Sequence, residues 1–177
     1  MAKGKWEAYA HGLETGPVSY GPDWITTPDY TMMCPCFNNG EEGPVAAFID
    51  PAVFDDPEMQ AIMAKHDPED TLTPEMTMCR KYMPDFRLVS PFECTAEDWG
   101  FIMRDVYQGT TKDGQVITLH ETDYLWTNDE GHITRWHWFV DSSEFSPYLR
   151  VIGVEPDGAT YQDYIVNYLR KGIPPER

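Results

Sequence analysis

Between Asp98 and Val140 the chain alternates long β-forming runs with turns short enough to require hairpins. Asp98 to Thr110 is rich in aromatic and branched residues and predicts an extended strand. Lys112-Asp113-Gly114 follows as a hairpin turn. Gln115 to Thr127 predicts a second strand, Asn128-Asp129-Glu130-Gly131 a second turn, and His132 to Val140 a third strand. Runs of this length joined so tightly leave one arrangement, an antiparallel meander.

The chain changes character near Asp85. Ahead of it, Lys5 to Leu13 has helical spacing, with Trp6, Tyr9, Ala10 and Leu13 on one stripe. Asp56-Pro57-Glu58 opens a helix to about Lys65, and His66 reads as its C-terminal cap. Thr73-Pro74-Glu75 opens another helix, which ends near Tyr82 before Pro84. Tyr30 to Cys34 and Phe86 to Phe92 predict short strands. After the meander, Ser142 or Ser143 caps a helix to about Val151, and 158–171 predicts a last helix that extends the domain. Helices ahead of a curved antiparallel sheet give the α+β class, with the helices packed on one face, in a single domain over 1–177.

Composition narrows the function. Thirteen basic against 30 acidic residues give a net charge of −17, which disfavours nucleic acid and anionic lipid as partners. No apolar run is long enough to span a bilayer, and Met1 to Trp6 has no apolar signal core, so a cytoplasmic location is expected. Cys34-Pro-Cys36, with Cys79 and Cys94 elsewhere, lacks zinc-knuckle spacing, so free thiols are expected and no metal. No glycine-rich phosphate loop, serine elbow or His-Glu zinc motif is present, and no cofactor is expected. Aromatic residues reach 14%, enough to build a pocket for a small aromatic or polycyclic substrate.

Chemistry then falls to acids, imidazoles and phenols. Asp141 closes the third strand as a proton acceptor or as a helix cap. His120 lies mid-strand, as a proton shuttle or on the solvent face. Period two puts Arg135, His137, Phe139 and Asp141 on one face. Either that face lines a pocket, or Trp136 and Trp138 fill the core and His137 lies outside. Tyr124 offers a hydrogen bond to a substrate oxygen, and Trp126 and Trp138 offer ring contacts; packing explains these residues equally well. Arg104 and Tyr107 share the first long strand. Arg104 suits an oxyanion or a salt bridge to Glu121 or Asp123. Tyr9 and His11 fall near the end of the first helix, and Tyr20 and Asp23 follow in the loop after it.

The segment from Asp105 to Val154 resembles the SnoaL-like branch of the NTF2-like superfamily. Its order of parts matches, and Gly131-His-Ile-Thr-Arg-Trp-His-Trp-Phe-Val-Asp141 is the most specific stretch. The resemblance implies a cone-shaped cavity under a curved sheet, Asp141 at the pocket, Tyr9, His11, Tyr20 and Asp23 as substrate-binding candidates at its mouth, and pairing of two or more copies through the outer sheet face. It implies a cofactor-independent lyase or isomerase acting on a hydroxylated or carbonyl-bearing aromatic molecule by retro-aldol cleavage, dehydration or cyclisation. Two rivals are a non-catalytic binding module and an epoxide-type hydrolase using Asp105 or Asp123 with Arg104. Residues 30 to 95 are longer and richer in Met and Pro than compact members, which fits a lid or an oligomer contact.

Overall fold

A computed structural model of the protein describes residues 26–66, 74–90 and 93–173. The long β-forming runs become β5 (Gly100–Thr110), β6 (Val116–Thr127) and β7 (Ile133–Val140), paired antiparallel in that order. Before them come β1 (Thr26–Met33), β2 (Gly43–Pro44), β3 (Arg87–Leu88) and β4 (Glu93–Glu97). The sheet runs β2-β1-β7-β6-β5-β3, with β4 pairing the same edge of β5 further along. It is curved and unclosed.

Two features depart from the sequence expectation. The sheet is mixed rather than wholly antiparallel, because β1 pairs β7 in parallel. The expected strand from Asp98 to Thr110 begins at Gly100, and a tight turn reverses the chain from β4. Gly100 has φ +148, and a Cβ there would meet the Leu125 carbonyl oxygen at 2.0 Å. The turn therefore needs a residue without a side chain pressed against β6.

Five α-helices, α1 (Ala52–Asp55), α2 (Pro57–Met63), α3 (Pro74–Tyr82), α4 (Ser142–Ile152) and α5 (Tyr161–Lys171), and two short 3-10 helices, Asn38–Gly40 and Val45–Ala47, complete the described chain. Their starts follow local chemistry. Asp56 accepts from the Glu58 and Met59 amides ahead of Pro57, and Thr160 forms a reciprocal capping box with Asp163. His66, at the end of the α2 segment, bonds the Leu169 carbonyl through Nε2 at 2.8 Å, tying it to α5. The C-terminal helix buries Tyr164 and Ile165.

Period two sets the faces. Phe101, Met103 and Tyr107 of β5, Ile117, Leu119 and Leu125 of β6, and Trp138 and Val140 of β7 are buried against the helices. Met76, Met78 and Cys79 of α3 and Phe145, Tyr148 and Leu149 of α4 meet them. Aromatic rings fill the centre: Phe145 lies 5.3 Å from Trp138, 5.3 Å from Tyr148 and 5.5 Å from Phe37, centroid to centroid. Between these layers lies an internal cavity of about 30 Å³, water-sized. No described helix is long and apolar enough to cross a membrane.

Candidate active site

Three acids interrupt the apolar stripes on the helix-facing side. Asp105 sits directly opposite Glu121 across β5 and β6, and Asp123 follows two residues along β6. Their carboxyl oxygens lie within 4.8 Å of one another. Like charges directly opposite in a sheet repel, and burial removes the water that would screen them. Asp105 is 5% exposed and Asp123 3%, and Glu121 is half-buried. Asp105 Oδ1 is buried with no hydrogen-bond partner.

The proton affinities follow. Burial pushes the Asp105 carboxyl up to about 7, against a small opposing contribution from Tyr107. Burial, then the Asp105 and Asp123 charges, holds Glu121 well above the ordinary range. Burial and the Asp105 charge do the same to Asp123, although Trp136 Nε1 donates to it at 2.6 Å. The cluster titrates as a unit. Three carboxyl groups this close do not all ionise together near neutral pH. Groups of this kind give and take protons near pH 7. They are also the one set among the described residues whose acidic oxygens converge closely enough to suit a hard divalent cation.

Space adjoins the cluster on two sides. Asp105 and Glu121 line an opening of about 170 Å³ beside Ser90, Glu93 and Arg104. Glu121 also lines the 30 Å³ internal cavity, with Glu75 of α3, Trp138 and Tyr164. Burial raises the Glu75 carboxyl, which accepts a hydrogen bond from the Tyr164 hydroxyl. Tyr164 continues to Tyr148 at 3.0 Å, and Tyr148 to Cys79 at 3.2 Å.

The residues singled out from sequence are dispersed. Trp138 and Tyr107 face the interior, Tyr107 stacked on Phe86 at 5.7 Å. Asp141 is exposed and caps α4, accepting from the Ser143 amide at 2.7 Å and its hydroxyl at 2.5 Å. Those bonds hold it below the usual carboxylate range. His120 is exposed and bound to Glu144 at 2.9 Å, tying β6 to α4. Arg104 is exposed and meets Glu93 at 3.4 Å, on the face opposite Glu121 and Asp123.

Tyr124, Trp126 and His137 lie together on the outer face. With Thr122, Arg135 and Phe139 they line an open depression of about 580 Å³. Arg135 donates to both Glu42 oxygens at 2.7 Å and lies 4.8 Å over the Trp126 ring, while His137 is 3.2 Å from Glu42. The parity of β7 is thus settled with Trp136 and Trp138 inward and His137 outward. Tyr9, His11, Tyr20 and Asp23 lie outside the described residues. Glu75, Glu121, Tyr148 and Tyr164 were not among the sequence candidates. An acid at a helix start and another in an alternating strand read as caps and solvent-facing charges. Glu121 and Asp123 carry one usable signal, their parity with Leu119 and Leu125.

No family model matches the sequence, and no curated protein matches it. Among solved structures, the chain is similar to a phenazine biosynthesis-related protein of Pseudomonas aeruginosa, at 13% identity over 85% of this chain and 83% of that one, TM-score 0.45. It is similar to an NTF2-like protein of unknown function from Burkholderia pseudomallei, at 14% over 85% and 92%, TM-score 0.39. It is also similar to a protein of the SnoaL-like family from Agrobacterium tumefaciens, at 17% over 78% and 90%, TM-score 0.29.

Proposed function

We propose that the protein is a cofactor-independent acid–base enzyme, a lyase or isomerase, whose proton carrier is the cluster of Asp105, Glu121 and Asp123. The observation that supports this is three carboxyl groups, two buried and one half-buried, held within 4.8 Å of one another, where they cannot all ionise. A structural role explains such a cluster poorly, because each buried charge costs stability unless it is paired. A proton acceptor near pH 7 is what removal of a proton beside a carbonyl requires. The substrate in this reading is a small hydroxylated or carbonyl-bearing aromatic molecule. Its reacting end enters beside Asp105 and Glu121, and its ring stays in the wider opening. Asp141, His120, His137 and Tyr124 do not meet this cluster, so the reading places the chemistry on the inner face.

The experiment is a rate measurement with a panel of aryl β-hydroxy ketones, run with and without a chelator. Asp105→Asn is expected to lower turnover by about 10²–10⁴-fold, the usual worth of one general base. In the parent protein the rate should rise through an inflection near pH 7 and level off above it, as Asp105 ionises. An Asp105→Asn variant that matches the parent on every accepted compound would rule the assignment out.

A further inference from the structure

The four thiols of the chain form no disulfide, and they sit in unlike surroundings. Cys79 is of the inert kind: it is 1% exposed, lies 3.2 Å from the Tyr148 hydroxyl, and burial pushes its thiol up. Cys34 and Cys36 differ because they stand together. β1 ends at Met33, and the Cys34 carbonyl accepts from the Phe37 amide at 3.1 Å, closing a β-turn with Pro35 in its second position. Cys34 and Cys36 are thus the first and third residues of one tight turn. Both ends of that turn are fixed. Met32 pairs with Trp136 in the sheet, Phe37 is buried among the core rings, and the Asn38 amide donates to the Ala159 carbonyl at 3.0 Å. Cys34 is 3% exposed, whereas Cys36 is half-buried, with its Sγ 3.9 Å from the Val140 carbonyl oxygen.

We propose that Cys34-Pro35-Cys36 is a reversible dithiol site, which a low-molecular-weight disulfide such as oxidised glutathione converts to a Cys34–Cys36 disulfide. The site is separate from the acid–base reading and does not rest on it. A disulfide needs Cα atoms about 4.4–6.8 Å apart, and a β-turn folds its first and third residues into that span. Exposure divides the roles, because Cys36 meets solvent and Cys34 does not. Proton affinity divides them the same way. The Cys34 thiol donates to the Cys36 sulfur, which holds Cys36 below the ordinary thiol range against burial and the Asp141 charge. The same bond, with burial, holds Cys34 above it. The Cys36 thiolate therefore attacks first. A new S–S bond forms to one sulfur of the reagent, the reagent's own S–S bond breaks, and one thiolate leaves. Cys34 then gives its proton to that thiolate and attacks the Cys36 sulfur, and the second thiolate leaves and takes a proton from water. The protein loses two electrons, and the reagent is reduced to two thiols. The fixed turn makes the second step intramolecular, so the mixed disulfide does not accumulate. A bridge between residues two apart closes a small ring, which a dithiol reductant reopens.

The test incubates the folded full chain with oxidised glutathione, quenches it with an alkylating agent, and maps the cysteines by peptide mass. In the parent protein a Cys34–Cys36 disulfide is expected, with Cys79 unmodified, and dithiothreitol should return both thiols. Cys34→Ser removes the second attacking thiol and is expected to leave glutathione on Cys36, at a level roughly 10-fold or more above the parent. Cys36 recovered as a thiol in the parent, or as a lasting glutathione adduct with Cys34 unbridged, would overturn the proposal. So would a bridge that forms only after the chain is unfolded in denaturant. The parent result stands without a variant, so a Cys34→Ser chain that fails to fold leaves the test intact.

Discussion

Asp105→Asn is expected to stabilise the protein at pH 8 and to change its stability little near pH 4. The folded-state affinity of Asp105 is raised to about 7 from an ordinary value of 3.8. Below about pH 4 the carboxyl is protonated in both folded and unfolded chains and contributes nothing. Between there and pH 7 the unfolded chain releases its proton first, so stability falls as pH rises. Above pH 7 the whole cost is present, roughly 4 kcal/mol at 1.36 kcal/mol per unit. Asn keeps the shape and removes the charge, so the variant should melt higher at pH 8 by on the order of 10 °C. Thermal unfolding at the two pH values checks this, and equal melting of variant and parent at pH 8 would contradict it. The same substitution is expected to abolish most turnover, so stability and activity should move in opposite directions, as they do where a site is built from mutually repelling groups.

Phe145→Ala is expected to cost roughly 3–5 kcal/mol, the range for an aromatic ring removed from a packed core. Phe145 is fully buried in the first turns of α4, and its ring meets Phe37, Trp138 and Tyr148. It also lines the internal cavity, so its loss would widen the space beside Glu121 and Glu75. Denaturant unfolding measures the cost, and a loss below about 1 kcal/mol would mean that the interior is more loosely filled than described. The internal cavity is small because rings of this kind fill it, and that closeness withholds water from the acids and raises their proton affinity.

Much of the fold can be read locally. The strands from Val116 to Thr127 and from Ile133 to Val140 stand within a residue or two of their expected bounds, because Asp113-Gly114 and Asn128 to Gly131 can do little except turn. The helices at Pro57 and Pro74 also start where capping chemistry places them, while the one at Ser142 is capped by Asp141 rather than by Ser142 or Ser143. The parallel pairing of β1 with β7 was not legible. It joins Met32 to Trp136 across some hundred residues, and no local pattern encodes so distant a partner. The break at Gly100 was hidden in a run of strand-forming residues, and its cause, the Leu125 carbonyl, lies on another strand.

The site was harder to read, for a different reason. Alternation says which residues share a face but not which face is covered. His137 and Asp141 drew attention by type and position, yet the inward turn of Trp136 and Trp138 puts His137 outside, and Asp141 spends its oxygens on the start of α4. Asp105 and Asp123 entered as partners for Arg104, and the structure sends Arg104 to the opposite face. Glu75 carried no signal beyond a favourable helix start. Its burial comes from the meeting of α3, α4 and α5, which sequence period does not describe.

Residue-resolved carbon NMR of the carboxyl groups, followed from acid to alkaline pH, tests the central claim most directly. An inflection near pH 7 is expected at Asp105, with Glu121 and Asp123 also titrating well above the ordinary carboxylate range. Ionisation of all three in the ordinary range, at about pH 4, would contradict it.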